Sequence, residues 1–276
     1  MLETNVRHWA DTIVTARRNG WLLDPISDVV SLTLDEAYAI QASVLSSRVE
    51  HGEQRIGWKL GYTSLAMCEQ MGVDRPNFAP LTDRMLLRDG AIIGDRVVQP
   101  RVEPEIAVIL REPVSAGATR EQVLAACAQT RAVLEVVDPV WRDYRFRIED
   151  NTADGSSAAY VVVGPVLKGC DDLADVRVVL ACDGRPVAES TGAAAMGHPA
   201  DAVAWLATEL AAHGGRLEPG DLIITGGLTA AVQLSTGTTV SATFGGQFSV
   251  RVSRSDSAAQ ALGGWCGSAP DSRAGA

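Results

Sequence analysis

The segment Val102-Glu103-Pro104-Glu105-Ile106-Ala107-Val108-Ile109-Leu110 sets two glutamates one residue apart at the start of an otherwise apolar run. Side chains of a strand alternate between faces, so Glu103 and Glu105 point the same way, about 7 Å apart along the chain. The apolar continuation reads as a core strand, which places both carboxylates at the mouth of a buried element. Like charges repel there, and loss of water raises the cost further. A divalent cation relieves both problems, and hard Mg²⁺ or Mn²⁺ prefers carboxylate oxygen. For Glu-x-Glu alone, a solvated strand end with Arg101 as ion-pair partner competes equally. Glu135 tips the balance, because it lies inside a second apolar, β-branched run, Ala132-Val133-Leu134-Glu135-Val136-Val137. A metal site drawing on Glu103, Glu105 and Glu135 becomes the better reading.

The chain has 276 residues, 46% hydrophobic and 21% charged, enough for one large domain or two small ones with a full core. A net charge of −10 with no basic stripe argues against nucleic acid or an anionic membrane as partner. A small anionic substrate needs only a local positive site. Five cysteines, Cys68, Cys127, Cys170, Cys182 and Cys266, form no C-x-x-C pair, so neither a zinc site nor a disulfide framework is indicated. The start, Met1-Leu2-Glu3-Thr4-Asn5, lacks the basic and apolar regions of a signal peptide. With no stretch of bilayer-spanning length, the expectation is a soluble cytoplasmic protein.

Val6, Trp9, Ile13 and Ala16 recur at helical spacing up to Gly20, and a capping box, Thr33-Leu34-Asp35-Glu36, opens a second helix that stops at Gly52. From Arg55 the period becomes strand-like, and Val73 to Pro80 reads as an ordered loop. Thr119-Arg120-Glu121-Gln122 is another capping box, residues 143–157 are polar and then small, and Asp183-Gly184 is the strongest hairpin signal. Pro199 to His213 reads as a helix, and Asp221 to Val252 as strands and turns. Strands and helices do not alternate regularly, which favours α+β over a doubly wound sheet.

Lys59 lies in a short strand flanked by Gly57 and Gly61. It either snorkels from an edge strand or faces the acids, where it would hold a carboxylate or transfer a proton. Ser157, ahead of an apolar strand, is structural or contacts a substrate carboxylate. Thr225-Gly226-Gly227 lacks the full phosphate-loop pattern and reads as a tight turn. His198 precedes a helix and reads as a capping or packing residue. No G-x-S-x-G elbow supports a serine hydrolase.

Seven motifs occur in order: Gly57-Trp58-Lys59-Leu60-Gly61, Met71-Gly72-Val73-Asp74, Gln99 to Ala107, Leu134-Glu135-Val136-Val137-Asp138, Thr152-Ala153-Asp154, Gly197-His198-Pro199 and Thr225 to Val232. From about residue 30 to 252, this set resembles the 2-keto-4-pentenoate hydratase and 4-oxalocrotonate decarboxylase group of the fumarylacetoacetate hydrolase superfamily. The resemblance implies a mixed β-sandwich roll with flanking helices, a Mg²⁺ or Mn²⁺ ion and a small 2-oxo acid substrate. It implies Glu103, Glu105 and Glu135 as metal ligands, Lys59 as catalytic lysine and Ser157 as a substrate-contacting hydroxyl. The expected layout is a helical region 1–52 packed on the main domain, a metal-binding β-roll 53–253 and a flexible tail 254–276. The expected assembly is a homo-oligomer, in complex with a pathway enzyme.

Asn77 departs from the group. Hydratases of the group usually carry an aspartate there, and Asn cannot exchange a proton near neutral pH. Decarboxylases generally lack that acid and share the late turn Thr225 to Val232, whereas Gln99-Pro100-Arg101 looks more like the hydratases. In a vinylogous 2-oxo diacid, loss of the distal carboxylate as CO₂ sends electrons to a 2-oxo oxygen that the cation stabilises as enolate. No water activation is needed. Decarboxylation is therefore mildly favoured over hydration, with Asn77 beside the reacting carbons. A catalytically weakened partner subunit is the third reading, opposed by the presence of all three acids and Lys59.

Overall fold

In a computed structural model of the chain, residues 5–73, 75–169 and 172–255 are described. The first helices are α1 (Val6–Asn19) and α2 (Leu34–Glu50). Gly20 closes α1 in the left-handed region, and Thr33 with Glu36 completes the expected capping box on α2. Ile13 and Ala16 of α1 and Ala37, Ile40 and Val44 of α2 bury against Val140, Trp141 and Ala153. The helical pair thus braces a loop segment that reaches the site.

Strands β1 (Arg55–Gly61), β2 (Asn77–Thr82), β3 (Leu86–Arg88) and β4 (Ala91–Ile93) follow, with α3 (Leu65–Met71) between the first two. The long β5 (Arg101–Leu110) and β6 (Cys127–Val137) flank α4 (Arg120–Ala126), and α5 (Ile148–Ala153) precedes β7 (Ala158–Val166). Next are β8 (Arg177–Cys182), β9 (Arg185–Thr191), α6 (Pro199–Ala212) and β10 (Leu222–Ile224). The last are β11 (Val232–Gln233), β12 (Thr239–Phe244) and β13 (Phe248–Arg254).

The larger sheet runs β2-β1-β10-β5-β6-β7-β3, with β11 also on β5, and the smaller runs β4-β13-β12-β8-β9. Both are mixed: β1–β10, β3–β7 and β4–β13 are parallel pairs. One face of the larger sheet, through Val102, Ile106, Leu134, Val136 and Val162, packs on Leu180, Val240, Phe244, Val250 and Val252 of the smaller. Further along that face, Val108 and Leu110 meet α4 and α6 through Val123, Val203, Leu206 and Leu210. This is the α+β roll with flanking helices that the sequence implied. Glu103 and Glu105 have the opposite parity and project from the other face.

Two local expectations, for Val73 to Pro80 and for Lys59, need correction. The supposed loop Val73 to Pro80 runs into strand β2 from Asn77; β2 is a sheet edge, where proline is tolerated. Polar residues 143–157 contain the helix α5, too short and too polar to show helical periodicity. Lys59 is no snorkelling edge residue, because β1 lies between β2 and β10 and the side chain is buried. Pro104 survives in an interior strand because its carbonyl accepts from Leu228 N–H. Nitrogen and oxygen of one strand residue share a side, so its missing N–H faces the 225–231 loop rather than β6. The Asp183-Gly184 hairpin is present with both residues at positive φ, 47° and 76°. Of the expected tail from 254, residues 256–276 lie outside the described residues, as do Cys170 and Cys266; among the described residues Cys68, Cys127 and Cys182 form no disulfide.

Candidate metal centre

The antiparallel register of β5 and β6 puts Glu103 directly opposite Glu135. With Glu105 two residues along, carboxylate oxygens of the three converge to within 4.8 Å of one another, and all three residues are buried. Glu105 Oε2 accepts from the Gly226 N–H at 2.6 Å. Among the described residues, Glu105 Oε1 and Glu135 Oε1 accept no hydrogen bond. Lys59 Nζ forms an ion pair with Glu135 Oε2 at 3.0 Å. Burial, then repulsion from Glu135, pushes Glu103 up to about 7 and Glu105 well above the usual carboxylate range. Oxygen-only and short of hydrogen-bond donors, the cluster fits a hard divalent cation.

The segment after β10 forms one wall. A Cβ on Gly226 would meet Thr63 Oγ1 at 1.9 Å, and one on Gly227 would meet Glu103 Oε2 at 2.2 Å. Residues 225–227 are an irregular segment rather than the tight turn expected, and its glycines make room for Thr63 and Glu103. His198 is the N-cap of α6, its Nδ1 accepting from Ala200 N–H, as expected.

Lys59 Nζ donates to the Ser156 carbonyl at 2.9 Å and the Ser156 hydroxyl at 3.2 Å. Burial alone drives its pKa down, but Glu135, Glu103 and Glu105 together outweigh burial and the net direction is up. The group is an ammonium. Ser156 Oγ donates to Asn77 Oδ1, while Asn77 Nδ2 donates to Asn151 Oδ1 and Thr152 Oγ1. Asn77 is fully buried and stands one layer behind Lys59, off the cleft lining. A Cβ on Gly61 would collide with Asn77 Oδ1 at 2.3 Å, so the glycine after Lys59 makes room for this network.

Ser157 lines the cleft and accepts from Asn151 Nδ2 at 2.7 Å. Ser156 and Ser157 both adopt positive φ, 52° and 61°. Asp154 holds that strained turn by accepting from Ser157 and Val140 N–H groups. The cleft takes in Lys59, Tyr62, Arg101, Glu103, Tyr144 and Ser157. Among the described residues Arg101 forms no close ion pair with the glutamates, although its charge favours ionised Glu103; its guanidinium lies 3.8 Å over the Tyr144 ring. Sequence reasoning missed Ser156, Asn151 and Tyr144. For Ser156 the available signal was its place beside Ser157 after Gly155, a turn able to present both hydroxyls.

A mixed β-roll carrying a buried, oxygen-only acidic cluster beside a lysine defines a class of metal-binding proteins. Residues 58–253 match the family described as fumarylacetoacetate (FAA) hydrolase, C-terminal, and the chain belongs to that family. It is 36% identical over 256 residues to 2-keto-4-pentenoate hydratase of Burkholderia vietnamiensis, covering 90% of this chain and 97% of that one. It is also 36% identical over 211 residues to a 4-oxalocrotonate decarboxylase of Pseudomonas sp., covering 76% and 82%. The solved 4-oxalocrotonate decarboxylase from Pseudomonas putida G7, complexed with magnesium and adipate, superposes with a TM-score of 0.86 at 30% identity, covering 92% of this chain and 98% of that one. Among the described residues, no helix is long and apolar enough to cross a membrane.

Proposed function

We propose that the chain is a divalent-metal-dependent lyase that decarboxylates a small vinylogous 2-oxo diacid. The observation that carries this reading is the donor-poor Glu103–Glu105–Glu135 cluster facing the Lys59 ammonium, with the non-ionisable Asn77 behind it. Glu103, Glu105 and Glu135 would hold Mg²⁺ or Mn²⁺, and the cation supplies Lewis-acid stabilisation of the negative charge that builds on the 2-oxo oxygen. The magnesium of the Pseudomonas putida G7 decarboxylase supports that assignment.

In the reaction the C5–C6 bond breaks, C6 leaves as CO₂, and the bonding pair passes through the conjugated carbons to the 2-oxo oxygen. Lys59 Nζ, fixed by both oxygens of Ser156, keeps a positive charge beside the reacting head and holds a proton for the nascent enolate. Ser157 offers its hydroxyl to a substrate carboxylate. Asn77 keeps Ser156 in place and exchanges no proton. Water addition would need a further acid, and Tyr62 is pushed well above its usual range by burial and then Asp154. This favours CO₂ loss over hydration.

Incubating the protein and Mg²⁺ with 2-oxohex-3-enedioate should release CO₂, whereas 2-hydroxypenta-2,4-dienoate should be hydrated slowly. Fast hydration without CO₂ release would instead make the chain a hydratase. A cytoplasmic homo-oligomer, in complex with a pathway enzyme, completes the proposal. Sedimentation as a monomer would count against self-association.

A further inference from the structure

The two cations of the cleft are in different situations. Lys59 is engaged by Glu135 and Ser156. Arg101, half-buried at the start of β5, has no hydrogen bond or ion pair among the described residues; its contact is the Tyr144 ring. That ring is firmly seated. The Tyr144 hydroxyl donates to the carbonyls of Gln99 and Val137, and Gln99 Nε2 in turn donates to the carbonyls of Pro139 and Trp141. Asp143 and Tyr144 both adopt left-handed backbone, φ 58° and 57°. Such strain in non-glycine residues persists only where the surroundings over-determine it. A guanidinium stacked by its face keeps its in-plane N–H groups free to fork a carboxylate.

Arg101 and Glu103 share one face of β5, two residues and so about 6.7 Å apart. That spacing resembles the separation of the end carboxylates in an extended six-carbon diacid. We propose that Arg101 determines specificity by binding the distal carboxylate of a 2-oxo diacid whose 2-oxo acid head faces the Glu103–Glu105–Glu135 cluster. Dianionic substrates are thereby selected over monoanionic ones. This inference rests on the 2-oxo acid reading above, but its test does not require turnover.

Isothermal titration of the Mg²⁺-loaded protein with 2-oxoadipate and with 2-oxopentanoate isolates the distal carboxylate, since the two share one head. Wild-type protein should prefer the diacid, and Arg101→Gln should shrink that preference about ten- to a hundredfold, the usual effect of losing a charge-assisted pair. Arg101→Lys should keep part of it, and its preference decides the matter if the glutamine variant does not fold. An unchanged ratio overturns the inference, as does a wild type without preference. Equal weakening of both ligands also overturns it, because Arg101 would then serve the shared head or the acids. A diacid preference that needs Arg101, in a protein that releases no CO₂, would leave this inference standing and sink the decarboxylase reading.

Discussion

Lys59 and Asn77 show how single residues fix the chemistry. Lys59→Met removes the ammonium and keeps the stem, so turnover should fall about 10²–10⁴-fold while Mg²⁺ binding persists. Steady-state rates beside a calorimetric metal titration check this, and near-wild-type rates would reduce Lys59 to a charge-balancing residue. Asn77 donates twice and accepts once inside a closed network. Asn77→Asp replaces both donors with acceptors facing Asn151 Oδ1 and Thr152 Oγ1. The cost should be about 1–3 kcal/mol of stability, visible in denaturant melts, with no gain in CO₂ release. A faster decarboxylation by this variant would contradict the passive role given to the amide.

At the scale of elements, the acids come from strand pairing and the walls from loops. Gly227→Ala would drive a methyl against Glu103 Oε2, so Mg²⁺ affinity should fall at least about tenfold (about 1.4 kcal/mol) with the fold retained. Calorimetry and circular dichroism together separate this from unfolding. Period two alone put Glu103 and Glu105 on one face, and that part of the site was legible in the sequence. The pairing of Glu103 with Glu135 was not, because register between strands joined through α4 depends on tertiary packing. The places of Ser156, Asn151 and Tyr144 in the site were not legible for a related reason. They enter from short turns and a six-residue helix whose places are set by α1 and α2 packing on Trp141 and Ala153. The capped helices and the Asp183-Gly184 hairpin were legible because their signals are local.

Across the whole molecule, the buried acids couple metal to stability. Without metal, Glu103 binds its proton more tightly folded, at about 7, than at its ordinary 4.5, and Glu105 shifts the same way. That contribution is complete below about pH 4.5 and is lost as pH rises through about 7. Metal-free protein should therefore lose several degrees of melting temperature between pH 5 and 8. Stabilisation by Mg²⁺ should be small at pH 5, where protons compete, and largest above pH 7. Equal melting of the metal-free protein at both ends of that range would contradict the coupling.

The metal centre itself is tested most directly by titrating Mn²⁺ into the wild type and Glu135→Gln, following bound ion by electron paramagnetic resonance. Wild-type protein should bind one Mn²⁺ per chain with an oxygen-only signature, and the variant should lose that site. Absence of bound Mn²⁺ in the wild type, or equal binding by the variant, would show that the three glutamates do not form a metal centre.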